Sequence, residues 1–338
     1  MKKKYWLSTF FIMSMISAIS IMAVVPFNRL TAPLKKGELL ITGVGDDEIH
    51  IYSLLDDGNT LLLKLTKKEW GTLNIDGWYI ALDGAVPSRK QKLMVGGGSD
   101  WEYVFRVAKA PDTQYVFSGG NHGNERLNSL RFIGAKADVG MNDGTGIKNS
   151  AEINLSAGGE YIADSLTIIE NTSLTYDENI MNRYADVRRV YSISPSKITL
   201  NNTIAFNSDI YMGTSYVSML PATKEYGRYA LFDGTGDLSV TPGPGETKTT
   251  GAFENYLGMK DTLSATVWGD SNPGYRFRAW ISDRSMVDNF SNKLKVFYWD
   301  VNKYGNKLYF SRFDNEGHTK ISAGTVWNNR QGWELISQ

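Results

Sequence analysis

Five Asp-Gly dipeptides, at 57–58, 76–77, 83–84, 143–144 and 233–234, punctuate a chain of short runs rich in Val, Ile, Leu, Thr, Tyr, Phe and Trp. Gly reaches positive φ without steric cost, so Asp-Gly closes tight hairpins and the flanking runs read as antiparallel strands. Runs of this kind lie at 38–43, 48–55, 61–65, 78–82, 101–107, 114–118, 129–133, 151–155, 165–169, 187–193, 203–206 and 210–219. Four more lie at 263–268, 275–281, 294–299 and 307–313. No stretch holds a helical period, apart from 251–259, which reads as a short surface turn of helix. Residues 237–250, with their glycines and prolines, read as a long surface loop. The expected fold is all-β, an antiparallel β-sandwich or jelly roll over 37–338. A small β-module at 37–95, ahead of a larger sandwich from residue 100, is an equally good division.

The first 27 residues stand apart. Met1-Lys2-Lys3-Lys4 is a basic start, and Trp6 to Val25 carries no charge. That pattern reads as a signal peptide or a membrane anchor. The remainder is then extracellular, either secreted or tethered, and the absence of cysteine suits bacterial export. Lys+Arg and Asp+Glu are both 36, so the charge balances. A general nucleic-acid partner is excluded on that count. Membrane contact is expected only through an uncleaved N-terminal segment.

The densest cluster of functional residue types is Gly119-Gly120-Asn121-His122-Gly123-Asn124-Glu125, which holds one of three histidines. Glycines admit close approach of another molecule, and imidazole titrates near neutrality. The bland reading is a tight β-turn with Asn121 and Asn124 as turn formers. A second cluster, Arg183 to Tyr191, alternates Arg188 and Arg189 on opposite faces of one strand. Guanidinium matches carboxylate and sulfate; a solvated strand face is its bland reading. The long run 210–219 leads into Tyr226 and Arg228 on a polar, aromatic segment.

Residues 117–125 resemble the zinc-binding segment of the aspartoacylase and succinylglutamate desuccinylase family. That resemblance implies zinc held by His122 and Glu125 with a distant second His. Here Arg126 to Lys136 reads as loop and strand where that family has a helix, and only His318 lies downstream. No metal ligand is assigned. Across 100–315 the chain resembles the secreted β-jelly-roll polysaccharide lyases, which cleave uronate polymers by β-elimination. That chemistry needs a carboxylate neutraliser, a base for the C5 proton and an acid for the leaving oxygen. His122 is the candidate base or neutraliser, and Tyr216 or Tyr226 the acid. Asn121, Glu125, Arg188 and Arg228 are the candidate contacts to an acidic polysaccharide. The 18 tyrosines and 9 tryptophans suit stacking on sugars. The alternatives are a non-catalytic carbohydrate-binding or adhesion protein and a glycoside hydrolase.

No cofactor is expected. Asn142 to Gly146 and Asp233 to Asp237 carry oxygen ligands and leave a structural calcium ion open, although hairpin turns explain them better. Gly96-Gly97-Gly98-Ser99 lacks the helix and lysine of a phosphate loop, and no Gly-x-Ser-x-Gly elbow occurs.

Overall fold

A computed structural model of the chain describes residues 34–81, 91–137, 148–155, 158–248, 257–259, 262–288, 296–313 and 318–336. The basic and apolar N-terminal segment, the Asp83-Gly84 turn, the 142–146 segment and residues 251–256 lie outside the described residues. Among those described, no helix is long and apolar enough to cross a membrane.

The architecture is a sandwich of two antiparallel sheets, with 13 strands in the larger and 10 in the smaller. The larger sheet begins with Glu160–Ala163 beside Leu39–Val44. It continues through Glu48–Leu54, Thr60–Lys67, Leu73–Ala81 and Lys92–Gly96 to the long strand Ile210–Thr223. Gly305–Ser311, Val296–Asp300 and Leu257–Met259 complete that row. The smaller sheet runs from Leu238–Val240 through Tyr229–Phe232, Ser264–Trp268, Arg276–Ile281 and Val326–Ile336. It then passes through Lys197–Phe206, Arg183–Ser194, Ser165–Thr175 and Glu125–Ala137 to Lys148–Glu152.

Two local expectations are corrected. Leu257–Met259, read as part of a helical turn, is a strand paired with Val296 to Tyr298. The stretch 237–250 is not all loop, because Leu238–Val240 pairs with Tyr229 to Leu231. Three residues are too few to show a period of two, so pairing partners far along the chain decide both segments.

Alternation builds the core. In Lys197–Phe206 every second residue, from Ile198 to Phe206, is buried. Trp101 packs edge-on between Trp78 and Trp333, with ring centres 5.7 and 5.6 Å apart. Phe277 stacks on Trp78 at 6.0 Å, and Trp333 Nε1 donates to Met219 O at 2.8 Å. Indole needs such a partner when it leaves water.

The interior also holds charge. Arg189, Glu102, Glu125 and Glu170 are all 0% exposed. Arg189 Nη2 lies 2.6 Å from Glu170 Oε2 and 3.8 Å from Glu125 Oε1. Glu125 accepts from Tyr103 Oη and Thr172 Oγ1, both at 2.6 Å. Glu170 and Glu102 accept from the Leu73 and Ile75 backbone N–H groups, each at 2.8 Å. These two N–H groups are available because Lys92–Gly96 pairs with the neighbouring strand only from Gly77 to Ile80. Glu170 of the smaller sheet and Glu102, just ahead of the strand Val104–Ala108, thus stand where a further strand would bond. Burial pushes Glu170 up to about 7, and pushes Glu102 up as well, against the pull of the nearby Arg189 charge. Three carboxylates around one guanidinium cannot all remain ionised at low cost.

Removing the cation leaves these carboxylates without a counter-charge. Arg189→Met is therefore expected to lower the unfolding free energy by about 3–5 kcal/mol, measured by chemical denaturation at neutral pH. The titration has a definite sign. Glu170 holds its proton more tightly in the fold than in the unfolded chain, so its contribution is full below the ordinary value of 4.5 and is lost as pH rises through about 7. Unfolding curves across that window should fall less steeply with pH for Glu170→Gln than for the native chain; equal slopes would remove Glu170 as the titrating group.

Candidate functional site

Where Ile210–Thr223 and Gly305–Ser311 run side by side, alternation sends Leu308 and Phe310 into the core between the sheets. Tyr309 goes to the opposite face, where it joins a second cluster with Val104, Met219 and Phe297. Tyr216 and Trp299 pack against that cluster, with ring centres 4.7 and 6.0 Å from Tyr309. Lys307, two residues from Tyr309, lies with its ammonium 5.2 Å above the Tyr309 ring. Only 7% of Lys307 is exposed. Its Nζ donates to Ser99 Oγ at 3.0 Å and lies 3.6 Å from Asp100 Oδ2. Burial pulls this amine below the usual lysine range, and the Asp100 charge works against that shift. Burial also pushes the Tyr216 phenol up to about 12.

The His122 segment meets this group through Asp100. Gly120–His122 is a single 3₁₀ turn, and the His122 side chain is 42% exposed. Its ring stacks on Phe117 at 4.8 Å, and its Nε2 lies 3.7 Å from Asp100 Oδ2. Asp100 Oδ1 accepts from the Asn121 backbone N–H at 2.5 Å, and the Asn121 amide donates to Gly98 O. Glycine is required at 120: φ is +56°, and a Cβ would fall 2.3 Å from Asp100 Oδ1. One carboxylate oxygen therefore faces both an ammonium and an imidazole. In front of Lys307 opens a cleft of about 330 Å³, lined by Gly96, Gly97, Ser99, Tyr304, Lys307 and Tyr309 among others.

Of the residues singled out in the sequence, this face brings together Asn121, His122 and Tyr216. Glu125 is not a surface contact. The strand Glu125–Ala137 starts on an inward-facing position and buries the carboxylate against Tyr103 and Arg189. Tyr226 belongs to the core between the sheets, with Tyr275 at 6.5 Å, and so lies on the other side of the large sheet from Tyr216. It cannot share a substrate with His122. Arg228 pairs with Asp270 at 2.6 Å and lies 5.3 Å over Tyr229, which places it at the smaller sheet. Arg188 is exposed on the smaller sheet, between Asn171 and Thr203. The zinc arrangement fails for the same reason as Glu125, since His122 is half-exposed and Glu125 is interior. Among the described residues no three His, Asp or Glu side chains converge to hold a metal.

Lys307, Asp100 and Ser99 were not legible as a group, because 208 residues separate Ser99 from Lys307. A more local constellation lies on the second strand. In Glu48–Leu54 the alternation puts Glu48, His50 and Tyr52 on one face. His50 Nε2 meets Glu48 Oε2 at 2.9 Å, its Nδ1 meets Tyr52 Oη at 3.2 Å, and Lys64 pairs with Glu48 at 2.6 Å. Period-two spacing of Glu, His and Tyr was the available signal.

No protein family's profile matches the chain, and no curated protein matches it by sequence. Solved structures give distant likenesses. An α-galactosidase from Lactobacillus brevis is 10% identical at a TM-score of 0.42, over 90% of this chain and 40% of that one. An α-galactosidase from Geobacillus stearothermophilus is 9% identical at 0.45, over 88% and 41%. A Klebsiella pneumoniae protein described as an aldose 1-epimerase is 11% identical at 0.35, over 90% and 89%. The chain thus spans about two fifths of the length of the two galactosidases.

The geometry around Gly120 is directly testable. Gly120→Ala should destabilise the fold by about 1–3 kcal/mol, from the left-handed backbone and the clash with Asp100. Displacing Asp100 should also shift the imidazole resonances of His122 in NMR spectra, because the ring packs 3.7 Å from that carboxylate. Unchanged stability and resonances would show that Asp100 is not held against this turn.

Proposed function

We propose that the protein is a secreted or membrane-anchored polysaccharide lyase that takes a uronate-bearing chain in the cleft on the large sheet. The observation that carries this reading is Lys307, a nearly buried ammonium that opens onto the cleft and shares Asp100 with His122. An anion is the natural partner for a cation held out of water, and a sugar carboxylate supplies one.

The proposed steps give each of these groups one role. Lys307 neutralises the uronate carboxylate and so stabilises the enolate that forms when the C5 proton leaves. His122 takes that proton; with Nε2 turned to Asp100, Nδ1 is the nitrogen that accepts it. The C5 electron pair becomes the C4–C5 double bond, and the C4–O bond breaks. Tyr216, kept protonated by its burial, is the donor to the leaving oxygen. A glycoside hydrolase would instead need two carboxylates flanking the bond. Among the described residues lining the cleft there is no carboxylate, and Asp100 stands behind Lys307. A non-catalytic binding role is favoured by Tyr304, 70% exposed at the cleft rim.

Elimination leaves an unsaturated uronate that absorbs in the ultraviolet. The protein is expected to generate that absorbance from at least one uronate polymer in a panel of acidic polysaccharides. His122→Ala should slow it about 100- to 10,000-fold. Lys307→Met should abolish it. New reducing ends without absorbance would replace the lyase by a hydrolase, and polymer retained unchanged would leave a binding protein.

A further inference from the structure

The outer face of the smaller sheet carries a second set of rings and cations, on the side of the molecule away from the cleft. Pairing register places Val240, Tyr229, Trp268, Arg276 and Ile336 in one row across five strands. Tyr229 and Trp268 stack at 5.5 Å. Guanidinium groups bracket the pair: Arg228 lies 5.3 Å over Tyr229 and Arg276 lies 5.4 Å over Trp268. Four residues along the same strands comes Trp280, about 13 Å from that row by strand rise. Its ring lies against the neighbouring strand at Gly332, where a Cβ would fall 2.5 Å from the indole. Arg330 stands 5.9 Å from this ring.

Three features set this face apart from an ordinary solvated sheet surface. Large rings occupy it in place of short polar side chains, and Gly332 lets one of them lie flat. Apolar neighbours remain in water, with Leu238 and Val240 each 50% exposed and Ile336 36% exposed. Charge is also unbalanced. Arg228 has Asp270 at 2.6 Å and Arg278 has Asp233 at 3.1 Å. Among the described residues, Arg276 and Arg330 have a ring beneath them and no carboxylate.

We propose that this face is a separate binding surface for an acidic polysaccharide. Arg276 and Arg330, each carried over an indole, pair with carboxylates along the chain, and Trp268 and Trp280 present their exposed edges to the sugars. A guanidinium fork donates two parallel hydrogen bonds to a carboxylate, and an indole edge packs against the apolar patches of a sugar. Two rings that far apart grip a chain at separated sugars, so the surface favours a polymer over a monosaccharide. This surface does not rest on the reaction proposed for the cleft.

The test is electrophoresis of the full chain through native gels containing polygalacturonate, with dextran gels as the neutral control. All variants are made in a Lys307→Met background, so that cleft binding does not contribute. Retardation is expected in polygalacturonate and not in dextran, and it should weaken with added salt. Trp268→Ala and Trp280→Ala should each weaken apparent affinity about tenfold, the equivalent of losing the ring that carries one guanidinium. Arg276→Glu with Arg330→Glu, both exposed and away from the core, should abolish retardation while the circular dichroism spectrum stays native. Trp280→Phe keeps a ring over Gly332 and should retain most of the affinity. Unchanged retardation in the double glutamate variant would overturn the proposal. So would a dimer in sedimentation that Trp268→Ala makes monomeric, because the face would then be a contact between copies of the chain.

Discussion

Arg189, enclosed by Glu102, Glu125 and Glu170, is the constraint on which the other placements depend. A guanidinium without water must have carboxylates around it, and these carboxylates must in turn find N–H and O–H donors. They find them on both sheets: Leu73 and Ile75 on the larger, Thr172 on the smaller, and Tyr103 and Tyr191 across the interior. The sheets therefore meet in one register. Burying charge in this way contributes little net stability, but any other alignment would strand ions in the core, so the cluster selects one arrangement more than it strengthens it.

The same cluster positions the candidate site. Glu102 is two residues from Asp100, and its backbone carbonyl is held by Gln331 Nε2 at 2.9 Å. Trp101 O accepts from Met219 N at 2.8 Å, which pins this segment to the long central strand. With Trp101 and Glu102 fixed in the interior, Asp100 is presented on the far side of the large sheet beside Lys307 and His122. The two desolvated groups of charge, one between the sheets and one at the cleft, are thus joined through three consecutive residues. A change at Arg189 would be felt at Asp100 through the backbone of these three residues and through the charge of Glu102.

Much of the strand content was visible in the sequence because alternation and Asp-Gly turns are local signals. Asp57-Gly58 does close the hairpin between Glu48–Leu54 and Thr60–Lys67, with Gly58 at φ 82°. Asp76-Gly77 looks identical in sequence but lies inside Leu73–Ala81, at an irregularity in its pairing. The difference lies in the partner strand, which the dipeptide does not encode. The His122 segment was recognisable from its glycines and asparagines, which the tight turn against Asp100 requires. Glu125 was misjudged because the strand begins at that residue, and its first side chain points inward. Tyr216 and Tyr226 are ten residues apart and both aromatic, but a bend after Thr223 puts them on opposite faces. Lys307 stands in an aromatic hairpin, and only its distant partners, Ser99 and Asp100, mark it as buried.

The hydrogen bond from Gln331 to the Glu102 carbonyl spans 229 residues, and Asn59 reaches Tyr275 across 216. Early strands are therefore completed by the last ones. During synthesis the edge at Ile75 waits 27 residues for Glu102, and at Leu73 it stays open until Glu170 has emerged, 97 residues on. Every such contact closes a long loop, an entropic cost met before any reward arrives, and topologies of this kind fold slowly. A chain that exposes an unpaired edge for that interval is open to mispairing with its neighbours.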